Sequence, residues 1–198
     1  MNDIAKKKRI CLYGGTFDPI HMGHLLIAED ALLHADLDEV IFLPAYSAPL
    51  RSEEPSTPAS ERLAMVRLAV EGFEKFTVDD YEVRQGKRMF TIDTVAHFAK
   101  RLPDAKLFFL IGFDQLKQLD DWRGVEELKK TVTFLCAQRG DETPVSYDHS
   151  AVSLLPPRRI DISATEIRDR VAKRESVRSL LPQAVADYLE KKRLYRRG

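Results

Sequence analysis

Gly14-Gly15-Thr16-Phe17-Asp18-Pro19-Ile20-His21-Met22-Gly23-His24 is the stretch that decides how this chain is read. Ahead of it lies an apolar run, residues 10–13, and behind it an apolar-periodic stretch, residues 25–33. The first reads as a buried strand and the second as a helix. Strand, glycine turn and helix N-terminus together make a place for phosphate. Glycines let the backbone come close to an anion, and the free N–H groups and dipole of a helix start favour negative charge. His21 and His24 are three residues apart, so both rings can face one side of the first turn. Two imidazoles at such a place suggest chemistry on a phosphate and not only its capture. The plainer alternative is a tight strand-to-helix turn with a capping histidine. A zinc site would need a third ligand and an open position, and no further His or Cys with ligand spacing lies nearby.

Working outward, apolar runs without alternation recur at residues 10–13, 40–43, 107–111 and 132–137. They suit strands of a parallel sheet covered on both faces. Helical patterns lie between them: 25–33, then 60–70 with Leu63, Val66 and Val70 on one face, then 91–101 with Val95, Phe98 and Leu102. A further one, 116–129, is interrupted near 122–124. Alternating strands and helices predict right-handed βαβ units and an α/β, Rossmann-like, doubly wound parallel sheet. Ligands of such sheets bind outside the carboxyl ends of the strands, at the switch point. Gly14 and Gly112 each follow a strand and belong on that rim. Residues 44–58, with four prolines, read as a long mobile loop, and 79–89 and 139–150 as polar loops. After Leu155 only helices are expected, at 163–174 and 182–193. The chain therefore reads as a single domain, 1–198, with an α/β core over 8–155 and a small helical C-terminal part over 156–198.

The 198 residues are 44% hydrophobic, enough for a sizeable core, with 31 basic and 31 acidic side chains. That balance offers no basic face for a nucleic acid. No run approaches the ~20 apolar residues of a membrane span, and no signal-peptide pattern opens the sequence. A cytoplasmic protein without nucleic-acid or membrane partners is expected. The basic runs at 6–9 and 191–197 read as solvated ends. Cys11 and Cys136 fall in expected strands and read as buried, reduced thiols.

A second informative segment is Arg159-Ile160-Asp161-Ile162-Ser163-Ala164-Thr165-Glu166-Ile167-Arg168. Ser163-x-x-Glu166 predicts a capping box, each side chain satisfying the other's end of the turn. Capping explains neither Thr165 nor Arg168. Both fall near the start of the helix, where an anion is welcome and an arginine can make a bidentate contact.

These segments resemble the motifs of the nucleotidyltransferase superfamily. The first is similar to Gly-x-[Thr/Phe]-Asp…His-x-Gly-His, and the second to Ile-Ser-Ser-Thr-x-Ile-Arg, with Ala164 in place of the second Ser. Ile111-Gly112-Phe113-Asp114 resembles the Ile-Gly-x-Asp stretch beside the adenosine, Phe113 being bulkier than usual. The resemblance implies one bound ATP. Gly14, Gly15, Thr16, Phe17, His21 and His24 would serve its α- and β-phosphates. Ser163, Thr165 and Arg168 would serve the β- and γ-phosphates, and Gly112 and Asp114 the adenosine. Thr16, His21 and His24 carry the catalytic role.

Between the motifs the chain is similar to one family, nicotinate-nucleotide adenylyltransferase. Glu82-Val83-Arg84…Gly86…Phe90-Thr91-Ile92-Asp93-Thr94 resembles its Glu-Leu-x-Arg…Gly…Tyr-Thr-x-Asp-Thr pattern. Asp114…Leu119…Trp122 and the tail Leu180-Leu181-Pro182…Val185…Tyr188-Leu189…Leu194-Tyr195 are similar to it too. The resemblance implies that Trp122 stacks on a pyridine ring, that Thr91 contacts the nicotinate, and that Arg139 and Arg51 bind the mononucleotide's phosphate. On residues alone Trp122 also reads as a core or surface-cap tryptophan. The family's Pro-His-Lys loop is Pro49-Leu50-Arg51 here. The implied reaction is ATP plus nicotinate mononucleotide giving deamido-NAD and pyrophosphate, a step of NAD biosynthesis. Mg²⁺ would bridge phosphate oxygens, with no protein metal ligand. Two rivals stay open: the same fold acting on NMN, phosphopantetheine or a cytidylyl acceptor, and a non-catalytic nucleotide-binding domain. So does the oligomeric state, a homo-oligomer included.

Overall fold

The structure, a computed structural model, describes residues 7–47, 55–138 and 150–196. Among them, one all-parallel sheet is built from β1 (Arg9–Gly15), β2 (Glu39–Pro44), β3 (Phe76–Val78), β4 (Lys106–Gly112), β5 (Thr133–Ala137) and β6 (Val152–Leu154), in the order β3-β2-β1-β4-β5-β6. The helices are α1 (Met22–His34), α2 (Ala59–Val70), α3 (Tyr81–Gln85), α4 (Thr91–Arg101), α5 (Phe113–Leu116), α6 (Val125–Thr131), α7 (Ala164–Ala172) and α8 (Gln183–Lys192).

The unbroken apolar runs follow from burial on both faces. Cys11 and Tyr13 of β1, with Phe108 and Leu110 of β4, pack on one face against Leu25 and Ala28 of α1, Met65 and Val66 of α2, Ile167 of α7 and Leu189 of α8. Ile10, Leu12, Leu107, Phe109 and Ile111 point the other way, onto Val95 and Phe98 of α4, Leu116 of α5 and Leu128 of α6. Period-two alternation sends neighbours to opposite faces, and each face finds its own helical cover.

Register opens the site. β1 pairs with β4 only as far as Leu12 opposite Phe109. Beyond that point β1 follows β2, with Gly15 opposite Pro44, and β4 follows β5, with Gly112 opposite Ala137. The two central strands part at their carboxyl ends, which is the switch point of a doubly wound sheet.

Several expectations need correction. Residues 79–89 are not wholly loop, because α3 forms there and ends at Gly86 in the left-handed region (φ 63°). Three-residue β3 and β6 were not foreseen, being too short to show a pattern. The two helices expected at 163–174 and 182–193 do form, as α7 and α8. The interrupted 116–129 pattern resolves into α5, a 3₁₀ turn (Leu119–Asp121) and α6, with the break at left-handed Gly124 (φ 69°). The terminal basic runs are not simply solvated. Arg9 Nε donates to the Ala35 carbonyl (2.8 Å), and Lys192 pairs with Glu61 (3.2 Å). Both cysteines are free thiols in the core, and burial pushes Cys11 well above its ordinary range.

Arg62 is the least expected core residue, on the inner face of α2 with none of its surface exposed. Its guanidinium donates to three carbonyls: Thr57 (3.0 Å), Tyr46 (2.8 Å) and, through a short contact, Thr16. It thus ties the glycine turn to both described ends of the 44–58 segment. Arg62→Met keeps most of the packing volume but strands three buried acceptors. The substitution is expected to cost about 3–5 kcal/mol, measured as a lower urea midpoint; an unchanged midpoint would show that the carbonyls find other donors.

Candidate active site

A cavity of about 780 Å³ fills the gap where β1 and β4 part. From β1 and the following turn it receives Gly14, Gly15, Thr16 and Phe17, and from α1 His21 and His24. The end of β4 and α5 bring Gly112 and Asp114, and α7 brings Ser163, Thr165 and Arg168. Thr91 and Trp122 complete the opposite wall. Every site residue expected from sequence that lies among the described residues lines this one cavity. Arg51 and Arg139 lie outside the described residues.

The glycines also make room for neighbouring side chains. Neither Gly14 nor Gly15 has positive φ. A Cβ on Gly14 would lie 3.2 Å from the Phe109 ring, and one on Gly15 only 2.9 Å from the Phe17 ring. Both positions are kept bare for neighbouring aromatics, which floor the cavity. Phe17 itself turns inward, 2% exposed, with φ 49° and its ring edge-on to Tyr13 and His24 (5.4 and 5.1 Å). Its ring packs against that of His24.

His21 is the N-cap of α1, and its ring stacks on that of His24 at 3.7 Å. Gly23 permits this, because a Cβ there would meet Ile160 at 2.9 Å and His21 at 3.0 Å. The His21 N–H donates to His24 Nδ1 (3.2 Å). In the neutral ring the proton then sits on Nε2, a donor available to an anion. Burial, reinforced by His21, holds His24 well below the ordinary histidine range and favours its neutral form. The capping position expected of a histidine is thus occupied by His21. The expected open N–H groups are partly spent: Met22 N–H donates to Leu180 O (3.0 Å) and His24 N–H to His21 O (2.9 Å). That shifts the anion-facing role toward the imidazoles.

Asp18, quoted in the motif but given no role there, locks the turn. Its carboxylate accepts from Ser56 N–H (2.7 Å) and Tyr195 O–H (2.6 Å), and its carbonyl from Arg168 (2.8 Å). Arg168 also donates to the Thr165 hydroxyl (3.2 Å), so the pair singled out in the second motif is in contact. Only half of the expected capping box forms. Ser163 Oγ accepts from Glu166 N–H (3.1 Å), while the Glu166 carboxylate turns to Arg170 (3.4 Å). Phe113 lines the cavity while packing into the core, with Lys117 lying over its ring at 4.6 Å.

Comparison with known proteins bears on this arrangement. The family model of cytidylyltransferase-like proteins matches residues 12–170. A curated relative from Methylacidiphilum infernorum, named "Probable nicotinate-nucleotide adenylyltransferase", is 39% identical over 187 residues, 94% of this chain and 92% of its own. One of the same name from Shouchella clausii is 40% identical, over 95% of this chain and 97% of its own. This chain belongs to the nicotinate-nucleotide adenylyltransferase family. The fold is shared more widely. Structures of the Plasmodium falciparum nicotinic acid mononucleotide adenylyltransferase, complexed with NaAD and with APC, match with TM-scores of 0.78 and 0.75 at 21% identity, each covering 95% of this chain and 97% of that one.

For a member of the nicotinate-nucleotide adenylyltransferase family, the wall holding Thr91 and Trp122 is of most interest. Trp122 packs edge-on against Phe109 and Phe134 (6.3 and 6.2 Å), and its Nε1–H is buried with no partner among the described residues. Glu82, which sequence reading quoted without a role, lines the same cavity and accepts from the Thr94 hydroxyl (2.7 Å). Burial pushes its carboxyl from 4.5 up to about 7. The folded chain therefore holds a proton that the unfolded chain has released between those values. Stability contributed by protonated Glu82 is present in acid and lost as pH rises through about 7. Urea midpoints of wild type and Glu82→Gln, compared at pH 5 and pH 8, should show the variant gaining about 1–3 kcal/mol on wild type at the higher pH; parallel profiles would place the carboxyl in an ordinary, solvated state.

Proposed function

We propose that this chain transfers the adenylyl group of ATP to nicotinate mononucleotide, forming deamido-NAD and pyrophosphate. The observation that carries the reading is the convergence on one cavity of three separate segments: His21 with His24, Thr165 with Arg168, and Thr91 with Trp122. Family membership supports the acceptor. The expected setting is NAD biosynthesis in the cytoplasm, with residues 1–198 acting as one domain; no helix among the described residues is long and apolar enough to cross a membrane.

A phosphate oxygen of the mononucleotide attacks the α-phosphorus in line. The bond from that phosphorus to the α,β-bridging oxygen breaks, and its electrons leave with pyrophosphate. The nucleophile is ionised at neutral pH, so no general base is required. Catalysis becomes positioning and charge stabilisation. His24 Nε2–H and the His21 ring face the reacting phosphate, and the Thr16 backbone, clamped by Arg62, steers it. Gly112 and Asp114, at the end of β4 and the start of α5, flank the adenosine. Thr165 and Arg168 hold the leaving pyrophosphate at the start of α7, which Ser163 caps.

The donor set fits a cation that travels with the triphosphate. The Asp18 carboxylate is spent on Ser56 and Tyr195, and no cluster of three or more His, Cys, Asp or Glu side chains that could hold a metal lies among the described residues. Mg²⁺ carried on the phosphate oxygens would neutralise their charge.

His24→Ala removes one donor to the developing charge. It should lower kcat by about 100-fold or more while KM for the mononucleotide changes little, measured as pyrophosphate release with ATP, Mg²⁺ and nicotinate mononucleotide. A kcat within a few-fold of wild type would remove His24 from the catalytic role, and absence of release by wild type would overturn the function.

A further inference from the structure

Arg168 keeps its charge uncompensated although it is bonded to an aspartate. Its guanidinium donates to the Asp18 carbonyl (2.8 Å) and the Thr165 hydroxyl (3.2 Å), both neutral, and it makes no ion pair among the described residues. Asp18 itself is only 5% exposed. A buried carboxylate beside an arginine ordinarily takes it as its partner. Here both carboxylate oxygens are already served. Oδ2 accepts from Ser56 N–H (2.7 Å) and Oδ1 from Tyr195 O–H (2.6 Å), and neither donor carries a charge.

The phenol reaches Asp18 from the far end of the chain. After α8 the backbone reverses at Arg193, in the left-handed region (φ 56°), and Leu194 N–H returns to the Leu189 carbonyl (3.1 Å). Tyr195 is left-handed again (φ 59°). Side chains other than glycine resist that conformation, and here two of them within three residues aim one phenol at one carboxylate. Burial, with Asp18 beside it, holds the phenol well above its ordinary range, opposed only in part by Thr57 and the charge of Arg168. It therefore stays a donor. Tyr195 is not among the residues lining the cavity, so its action there runs through Asp18.

Resting on the adenylyl-transfer reading above, we propose that Tyr195 is a positioning residue for the leaving pyrophosphate: its hydroxyl satisfies Asp18 with a neutral donor and so reserves the charge of Arg168 for phosphate. Without the hydroxyl, Oδ1 of Asp18 loses its partner in a buried place. Arg168, already bonded to the carbonyl of that residue, is a cation within reach of it. Drawn into an ion pair, the arginine gives up both the charge and the fork it brings to the phosphates.

The test compares Tyr195→Phe, which removes only the hydroxyl, with Tyr188→Phe. Tyr188 O–H donates to Glu61 at the same 2.6 Å, from α8 onto α2, and Tyr188 does not line the cavity. Both directions are followed with Mg²⁺: pyrophosphate release from ATP and nicotinate mononucleotide, and ATP formation from deamido-NAD and pyrophosphate. In the reverse direction a pyrophosphate oxygen attacks the adenylyl phosphorus, and the bond from that phosphorus to the mononucleotide's phosphate oxygen breaks. Tyr195→Phe should raise KM for pyrophosphate and for ATP by roughly tenfold, as expected for a lost charge-assisted contact. KM for nicotinate mononucleotide and deamido-NAD should change little, and Tyr188→Phe should leave all four constants unchanged. In an Asp18→Asn background no carboxylate remains to draw the arginine and no orphaned charge burdens the fold. There, adding Tyr195→Phe should have little further effect. Equal rises for all four substrates, or the same changes in Tyr188→Phe, would reduce the hydroxyl to a stabilising contact and overturn the proposal. Unchanged constants in Tyr195→Phe would overturn it too, as would a full tenfold rise in the Asp18→Asn background. Absence of release by wild type is a separate result, which defeats the adenylyl-transfer reading and this proposal with it.

Discussion

The pairing of β1 with β4 stops at Leu12 and Phe109, and the site exists because it stops there. Past that point the two central strands carry on with their outer neighbours, and the space between them has no backbone to fill it. Side chains take over that task. Phe109 reaches across where Gly14 has no Cβ, and Phe17 folds beneath Gly15. The cavity floor is therefore aromatic, while its rim is made of helix starts and imidazoles. An apolar floor lowers the local dielectric, and beside it hydrogen bonds from fixed donors to a phosphate count for more.

What keeps the rim in register is a set of buried polar contacts and not apolar packing. Arg62 gathers three backbone carbonyls, and Asp18 gathers a backbone N–H and a phenol. Carbonyls turned inward from a loop would be costly without such a donor. The guanidinium resolves that cost for the glycine turn and for the two described ends of the 44–58 segment together. A change at any one of them is thereby felt by the others.

The sheet was legible because continuous apolar runs have one explanation in a doubly wound fold, and Leu107-Phe108-Phe109-Leu110-Ile111 is such a run. β3 and β6 were not legible: three residues carry no period, and they are strands only because β2 and β5 offer an edge. The site divides in the same way. His21, His24, Thr165 and Arg168 sit in local motifs that singled them out, and all four line one cavity. Arg62 and Tyr195 do not, since each acts through partners distant in sequence. The glycines have a second reason that sequence could not show, because their neighbours in space, Phe109 and Phe17, leave little room for a Cβ.

The link from Asp18 to Tyr195 spans 177 residues. On a ribosome the chain emerges from its N-terminal end at ~5–20 residues per second. Asp18 is thus synthesised seconds before the phenol that bonds to it. Arg62, only 46 residues from Thr16, arrives long before. The arginine contact therefore needs a far shorter length of chain than the tyrosine contact does.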